Sequence, residues 1–283
     1  NNPMIKSVLE TLVRFGAPEE ILFQAKPHVG SDRLRRVLIN FRKEMEQLGV
    51  EIRFSTKLTG LDFHHERVAA GILNESEELP CDALVLAPGH SARDTYRLLS
   101  DSGILLEAKP FAIGLRVEHP SALINQIQYG LGEHPQLPPA EYSLAWNDQK
   151  TGRGVYSFCM CPGGVVVNAS SEAGGLVVNG MSDYQRDGKY SNSALVVSVR
   201  PDDFDGVDPL AGVRFQRYWE QAAFVTGGSN NMAPAQPLLE FLDGRSGQLQ
   251  STCQPGIVHA DLMKVLPDFV SRSLKQALPH FNR

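Results

Sequence analysis

The segment Cys81-Asp82-Ala83-Leu84-Val85-Leu86-Ala87-Pro88-Gly89 constrains the fold most. Apolar residues run without alternation through its middle, the pattern of a strand buried on both faces, as in a parallel sheet. Its closing glycine falls where such a strand would end, and ligands of open α/β sheets bind at that carboxyl edge. Gly89 has no Cβ, so a flat cofactor or a phosphate can approach its backbone. An ordinary strand-to-helix turn has the same local pattern, and the segment alone does not separate the two.

The preceding residues supply the other parts of an α/β arrangement. Ile5, Val8, Leu9, Leu12 and Val13 recur at helical spacing over 4–15, and Gly16-Ala17-Pro18 stops that helix. A second helix is predicted over 32–48 from Leu34, Val37, Leu38, Phe41, Met45 and Leu48. Ser31 and Asp32 are its expected N-caps, and Gly49 stands at its C-terminal cap. Val50, Ile52 and Phe54 alternate with Glu51, Arg53 and Ser55, the period of a half-buried strand. Two more strands are predicted at 57–62 and 67–73, turning at His64-His65-Glu66.

Beyond residue 106 the texture changes to Val, Gly, Ser and Asn, with strand signals at 111–118, 142–146, 154–160, 164–170 and 193–199. The Gly- and Pro-rich stretch 129–141 reads as a loop. Helical pattern returns at Val213–Phe224, at 259–264 and at 267–277. The expected fold class is therefore α+β: a partial, Rossmann-like α/β domain carrying an inserted β-rich cap domain, followed by C-terminal helices. The corresponding boundaries are 1–105, 106–230, and 231–283 returning to the first domain. No internal repeat is visible.

Composition narrows the function. A chain of 283 residues can bury a large core. A net charge of -5, with no basic cluster larger than Arg33, Arg35 and Arg36, argues against a nucleic-acid partner. No apolar run approaches the ~20 residues that span a bilayer, so no membrane association is expected. Four cysteines, Cys81, Cys159, Cys161 and Cys253, do not make a disulfide scaffold and point to a reducing, cytoplasmic compartment. No P-loop, G-x-S-x-G elbow, H-E-x-x-H or EF-hand loop occurs. Asp202, Asp203, Asp205 and Asp208 lack EF-hand spacing and read as a solvated loop; no metal site is expected. The chain starts at Asn1-Asn2-Pro3 and stops at Phe281-Asn282-Arg283, both abrupt, and neither end is taken as a natural terminus.

A meander, an Asp, an apolar strand and Ala-x-Gly resemble the second half of a flavoprotein with two dinucleotide-binding domains. Several longer stretches are similar to a bacterial family of FAD-dependent dehydrogenases. They are Lys26 through Leu34, Ala87 through Thr95, Lys109 through Pro120, Arg153-Gly154-Val155-Tyr156-Ser157-Phe158-Cys159-Met160-Cys161-Pro162-Gly163-Gly164, and Asn179-Gly180-Met181-Ser182. The cysteine-containing stretch is the most specific. The resemblance implies FAD as cofactor, hydride transfer with an unidentified small-molecule substrate, and NAD(P)H as a candidate electron donor whose binding residues no pattern marks. It departs from the family in two respects: the family's C-terminal glycine-rich, flavin-contacting segment is not seen, and no G-x-G-x-x-G occurs here. That motif seats the FAD diphosphate on a helix N-terminus. The chain is therefore expected to be a fragment lacking the ADP-binding segment and inactive alone. A flavin-dependent RNA-modifying enzyme and a catalytically silent interaction domain are the alternatives. Oligomeric state is left open.

The resemblance implies that Ala87, Pro88, Gly89, His90 and Ser91 line the cofactor, and that His90, Tyr156, Cys159 and Cys161 stand near the flavin ring. His90 would then hydrogen-bond flavin or substrate, or act as acid or base near neutral pH. Cys159 and Cys161 admit three readings: redox-active or substrate-contacting thiols, a metal site, or a strand with Phe158 and Met160 facing the core and both cysteines opposite. Arg116 and Glu118 share a strand face and either pair with each other or leave Arg116 for an anionic substrate.

Overall fold

The computed structural model describes residues 4–132, 134–204 and 208–281. Helices α1 (Met4–Arg14) and α2 (Ser31–Gln47) come first. Strands β1 (Leu58–His64), β2 (Arg67–Leu73) and β3 (Glu77–Pro80) precede helix α3 (Arg93–Asp101). Strand β4 (Phe111–Pro120) leads into helix α4 (Ser121–Tyr129). Then come β5 (Ala145–Asn147), β6 (Gly154–Cys161), β7 (Val165–Asn168), β8 (Val178–Met181) and β9 (Tyr190–Val199). The chain closes with α5 (Ala211–Thr226), β10 (Ala233–Ala235), α6 (Leu238–Asp243), β11 (Ile257–His259) and α7 (Asp268–Phe281). The protein is thus mixed helix and strand, with its strands divided among several sheets.

The residues form two compact units. The larger comprises residues 1–48, 111–199 and 217–283, and the smaller 49–110 and 200–216. The larger is built on an antiparallel sheet of order β4-β9-β6-β5. Because side chains alternate across a strand, residues paired in register share a face. Ile113, Val197 and Val155 are one such row, and with Leu115 and Leu195 they pack against Val270, Leu274 and Ala277 of α7. Val155, Val197, Val270 and Ala277 are fully buried, so this sheet-on-helix layer is the main core. A second cluster joins Val166, Leu176, Ala233 and Cys253, and a third joins α1 to α2 through Ala17, Ile21 and Val37.

The smaller unit holds the three-stranded meander β1-β2-β3. Its first turn is a two-residue hairpin, with His65 and Glu66 both at positive φ, as the twist of antiparallel strands favours. The segments on either side differ from expectation. Residues 50–54 are not a strand, and Phe54 is 69% exposed. Residues 82–90 are exposed and form no strand; Val85 is 88% exposed. A strand of a buried parallel sheet needs a paired neighbour and cover on both faces, and neither segment lies in any sheet among the described residues. Their apolar content is thus legible while their burial is not.

Several local expectations also change. Ser31 and Asp32 do not cap α2, whose N-cap is Gly30. Instead Ser31 Oγ donates to Ser182 O at 2.8 Å, and Asp32 Oδ1 accepts from Tyr184 N at 2.8 Å. Arg33 stacks its guanidinium 3.3 Å from the Tyr184 ring centre. Gly49, at φ 83°, does close α2. Residues 259–264 form the end of β11 and a short 3-10 turn at Leu262–Val265 rather than a helix. β3, α3, α4, β8, β10 and α6 have no counterpart among the expected elements. In the acidic loop, Asp203 Oδ2 accepts from Arg200 N at 2.7 Å and Asp208 pairs with Arg214; Asp205 lies outside the described residues.

Candidate functional site

The sheet face opposite α7 carries Gly114, Arg116, Glu118, Tyr156 and Asn192, by the same register argument. Its polar character is unusual for a layer with buried members. Asn192 is completely buried, yet its Oδ1 accepts from Arg116 Nη1 at 2.6 Å. Arg116 Nη1 also reaches Cys159 O at 3.3 Å, and Nη2 donates to Asn179 Oδ1 at 3.1 Å. All these acceptors are neutral. No carboxylate among the described residues lies within ion-pair distance of Arg116, so the Arg116–Glu118 pair does not form. Glu118 instead holds the 251–253 segment: it accepts from Thr252 N at 3.0 Å, from Thr252 Oγ1 at 2.5 Å and from Ser251 Oγ.

The β7–β8 hairpin closes over this cluster through Gly180. A Cβ there would overlap Asn192 Oδ1 and Arg116 Nη1 and stand 2.8 Å from Cys161 Sγ. Only a residue without a side chain allows so close a backbone approach. Arg116 Nε and Asn192 Nδ2 are buried and have no acceptor among the described residues.

Cys159 and Cys161 stand beside this clasp, at a bulge. Phe158 pairs with Ala194 and Cys161 with Asn192, so three steps on β6 oppose two on β9. One extra residue in a strand is the definition of a β-bulge, and Cys159 takes it up at φ 47°. The Tyr142 amide donates to Met160 Sδ at 3.1 Å, holding the far side of the bulge. The bulge breaks the alternation expected from the sequence. Phe158 is 63% exposed rather than in the core, Cys159 is exposed and Cys161 is buried. Cys161 Sγ folds back to within 3.5 Å of Cys159 O. Burial, then the neighbouring Cys159, push the Cys161 thiol above its ordinary range, while Arg116 opposes them. Among the described residues no group of three His, Cys, Asp or Glu side chains could hold a metal ion.

Tyr156 lies on the Arg116 face, between Val196 and Ala145 in register, and is half-buried. A second polar pair occupies the other face: His119 Nε2 and Tyr142 Oη are 2.9 Å apart, and His119 Nδ1 is buried without a partner among the described residues. Burial depresses the basicity of His119 and raises the Tyr142 hydroxyl. His28, beside Pro27, reaches Asp183 O at 3.1 Å. An open depression of about 520 Å³ elsewhere in the larger unit is lined by Asn168, Ser170, Glu172, Asn231 and Pro255 among others. None of the expected site residues lines it.

The remaining expected residues belong to the smaller unit. Ala87, Pro88, Gly89, His90 and Ser91 form an exposed stretch leading to α3. Gly89 has φ 81°, and a Cβ on it would meet nothing within 4 Å, so its backbone is open to a planar or anionic group. Tyr96 Oη donates to Gly89 O at 2.9 Å and His90 O at 3.2 Å, fixing the turn from its α3 side. Arg116, Asn179, Gly180 and Asn192 were not singled out together by the sequence, though Asn179-Gly180 and the Arg116 strand both fall in the similar stretches. Their spacing, up to 76 residues, gives no local signal.

No helix among the described residues is long and apolar enough to cross a membrane. A protein of Clostridium beijerinckii described as uncharacterized is 45% identical to this chain over 281 residues. The match covers 98% of this chain and 52% of that protein, so the chain spans about half the length of the curated relative it matches. The pattern of the family described as "FAD-dependent protein, C-terminal domain-like" matches residues 110–283, which include the whole clasp, the bulged cysteines and α7. The chain belongs to that family.

Proposed function

We propose that this chain is the flavin- and substrate-facing part of an FAD-dependent oxidoreductase acting on a small molecule. The observation that carries the reading is the family match over 110–283, the region that holds Arg116 and Cys161 on the sheet face opposite α7 and Cys159 in the bulge beside them. FAD, when bound, supplies two-electron hydride chemistry. Ala87, Pro88, Gly89, His90 and Ser91 are the cofactor-side residues, with the open backbone at Gly89 as support. Tyr156, Cys159 and Cys161 are the substrate-side residues. In the longer protein, residues 81–89 and 50–54 are strands of a Rossmann-like parallel sheet, which accounts for their apolar runs and their exposure here. NAD(P)H is the proposed electron donor.

The test is to express the chain with the sequence that naturally adjoins it and to record the visible spectrum. Flavin absorbance that co-purifies, and is lost or weakened when Gly89 is replaced by a bulky residue such as Val, is the expected result. A folded, colourless protein that takes up no added FAD refutes the reading.

A further inference from the structure

We propose that Cys159 and Cys161 form a dithiol–disulfide couple that exchanges electrons with low-molecular-weight disulfides and thiols. Three features of the larger unit meet at these residues. First, the bulge brings them together. Residues two apart in a flat strand stand ~6.6 Å apart, near the far limit for a disulfide, whose Cα atoms are usually about 5.5–6 Å apart. The positive φ at Cys159 departs from the extended conformation, and Cys161 Sγ is folded back onto residue 159. Second, the pair is asymmetric in the way an exchange couple requires. Cys159 is exposed and accessible to an incoming disulfide, whereas Cys161 is buried beneath it. Third, the bulge is held independently of the sulfurs, by Arg116 on Cys159 O and by the Tyr142 amide on Met160 Sδ. Neither contact uses a cysteine sulfur, so both can persist whether the pair is reduced or joined.

The exchange runs in two balanced steps. The Cys159 thiolate attacks one sulfur of R–S–S–R, forming a Cys159–S–S–R mixed disulfide and releasing R–S⁻, which takes up the Cys159 proton. The Cys161 sulfur then attacks Cys159 Sγ, forming the Cys159–Cys161 bond and releasing the second R–S⁻, which takes up the Cys161 proton. Two electrons pass from the pair to the small disulfide, and excess thiol drives the reverse. The Arg116 guanidinium, next to Cys161, favours the thiolate in the second step. Cys81 and Cys253 are free thiols outside this arrangement.

The couple is tested with oxidised glutathione on the protein carrying its natural flanking sequence, without reference to flavin content. Samples are acid-quenched, alkylated and mapped by mass spectrometry. The expected product is a single peptide in which Cys159 and Cys161 are linked, lighter by two hydrogen atoms, and reverting with dithiothreitol. Cys161→Ser should trap glutathione on Cys159, and Cys159→Ser should abolish both the link and the adduct on this peptide. Both cysteines remaining alkylatable in the wild-type protein, or a wild-type reaction that stops at the Cys159 adduct, would overturn the proposal. Because the readout is the sulfur bond, it stands or falls separately from the flavin reading.

Discussion

Gly180→Ala replaces a hydrogen with a methyl at the point where the β7–β8 hairpin meets Arg116, Asn192 and Cys161. The added carbon would overlap Asn192 Oδ1 and Arg116 Nη1, and Cys161 Sγ would be 2.8 Å away. Backbone and sheet must separate, or Asn192 must give up its bond to Arg116. Overpacking of this kind costs about 1–3 kcal/mol. Leaving the buried Asn192 oxygen unpaired costs about 1–3 kcal/mol more, so a loss of roughly 2–6 kcal/mol is expected when both occur. For a domain of this size that is a fall in Tm of the order of 5–15 °C. Thermal unfolding followed by far-UV circular dichroism measures it, and Arg116→Met is the companion variant. If the clasp is the cause, the double variant loses less than the sum of the two single losses, because both act on one contact. A Gly180→Ala protein within about 0.5 kcal/mol of wild type would refute the reasoning, since that is the range of a surface change that touches nothing.

Other perturbations probe the same unit. Leu274→Ala removes a side chain that is 1% exposed and packed on Val155 and Val197, and should cost about 2–5 kcal/mol in urea unfolding. Glu118→Ala strands the Thr252 amide and the Ser251 and Thr252 hydroxyls, and should cost about 1–3 kcal/mol while making the 251–253 amides exchange hydrogen faster. His119 has a folded pKa below its ordinary 6.5, so the unfolded chain binds the proton more readily. Its contribution is fully present above that pH and is lost as pH falls from about 6.5 through the lower folded value. A stability–pH curve should flatten in this window in His119→Phe, and an unchanged slope there would show that another group titrates.

Helices and hairpins with strong local patterning were legible. α1 and α2 follow from apolar spacing, β4, β6, β7 and β9 from runs of Val and aromatic residues, and the His65-Glu66 turn from the polar break between β1 and β2. α4 was not, because Ser121–Tyr129 sits among strand-like residues and its helix is stabilised by tertiary contacts such as Asn125 Oδ1 with the Ala140 amide. β8 was hidden because Val178-Asn179-Gly180-Met181 carries a glycine that weakens strand propensity, and its reason for being glycine lies across the sheet. The cysteine pair was visible as a motif, but not its asymmetry, since alternation places residues two apart on one side. The bulge that leaves Cys159 exposed and Cys161 buried arises from pairing with β9, some thirty residues away along the chain.

Residues 82–90 mark the boundary between the two kinds of information. The apolar run from Ala83 to Ala87 by itself determined that this segment is suited to burial, and the family likeness by itself pointed to a flavoprotein. Whether the run is buried depends on neighbouring strands, and the tertiary structure leaves it exposed, outside every sheet among the described residues. In the other direction, only the tertiary structure made a site of Arg116, Asn179, Gly180, Asn192 and the two cysteines. The four polar and glycine positions carry no signal in their own segments, and the cysteine motif gives no hint of its neighbours. Register across β4, β9 and β6, together with a hairpin whose glycine lets backbone touch side chain, brings their polar atoms within bonding distance.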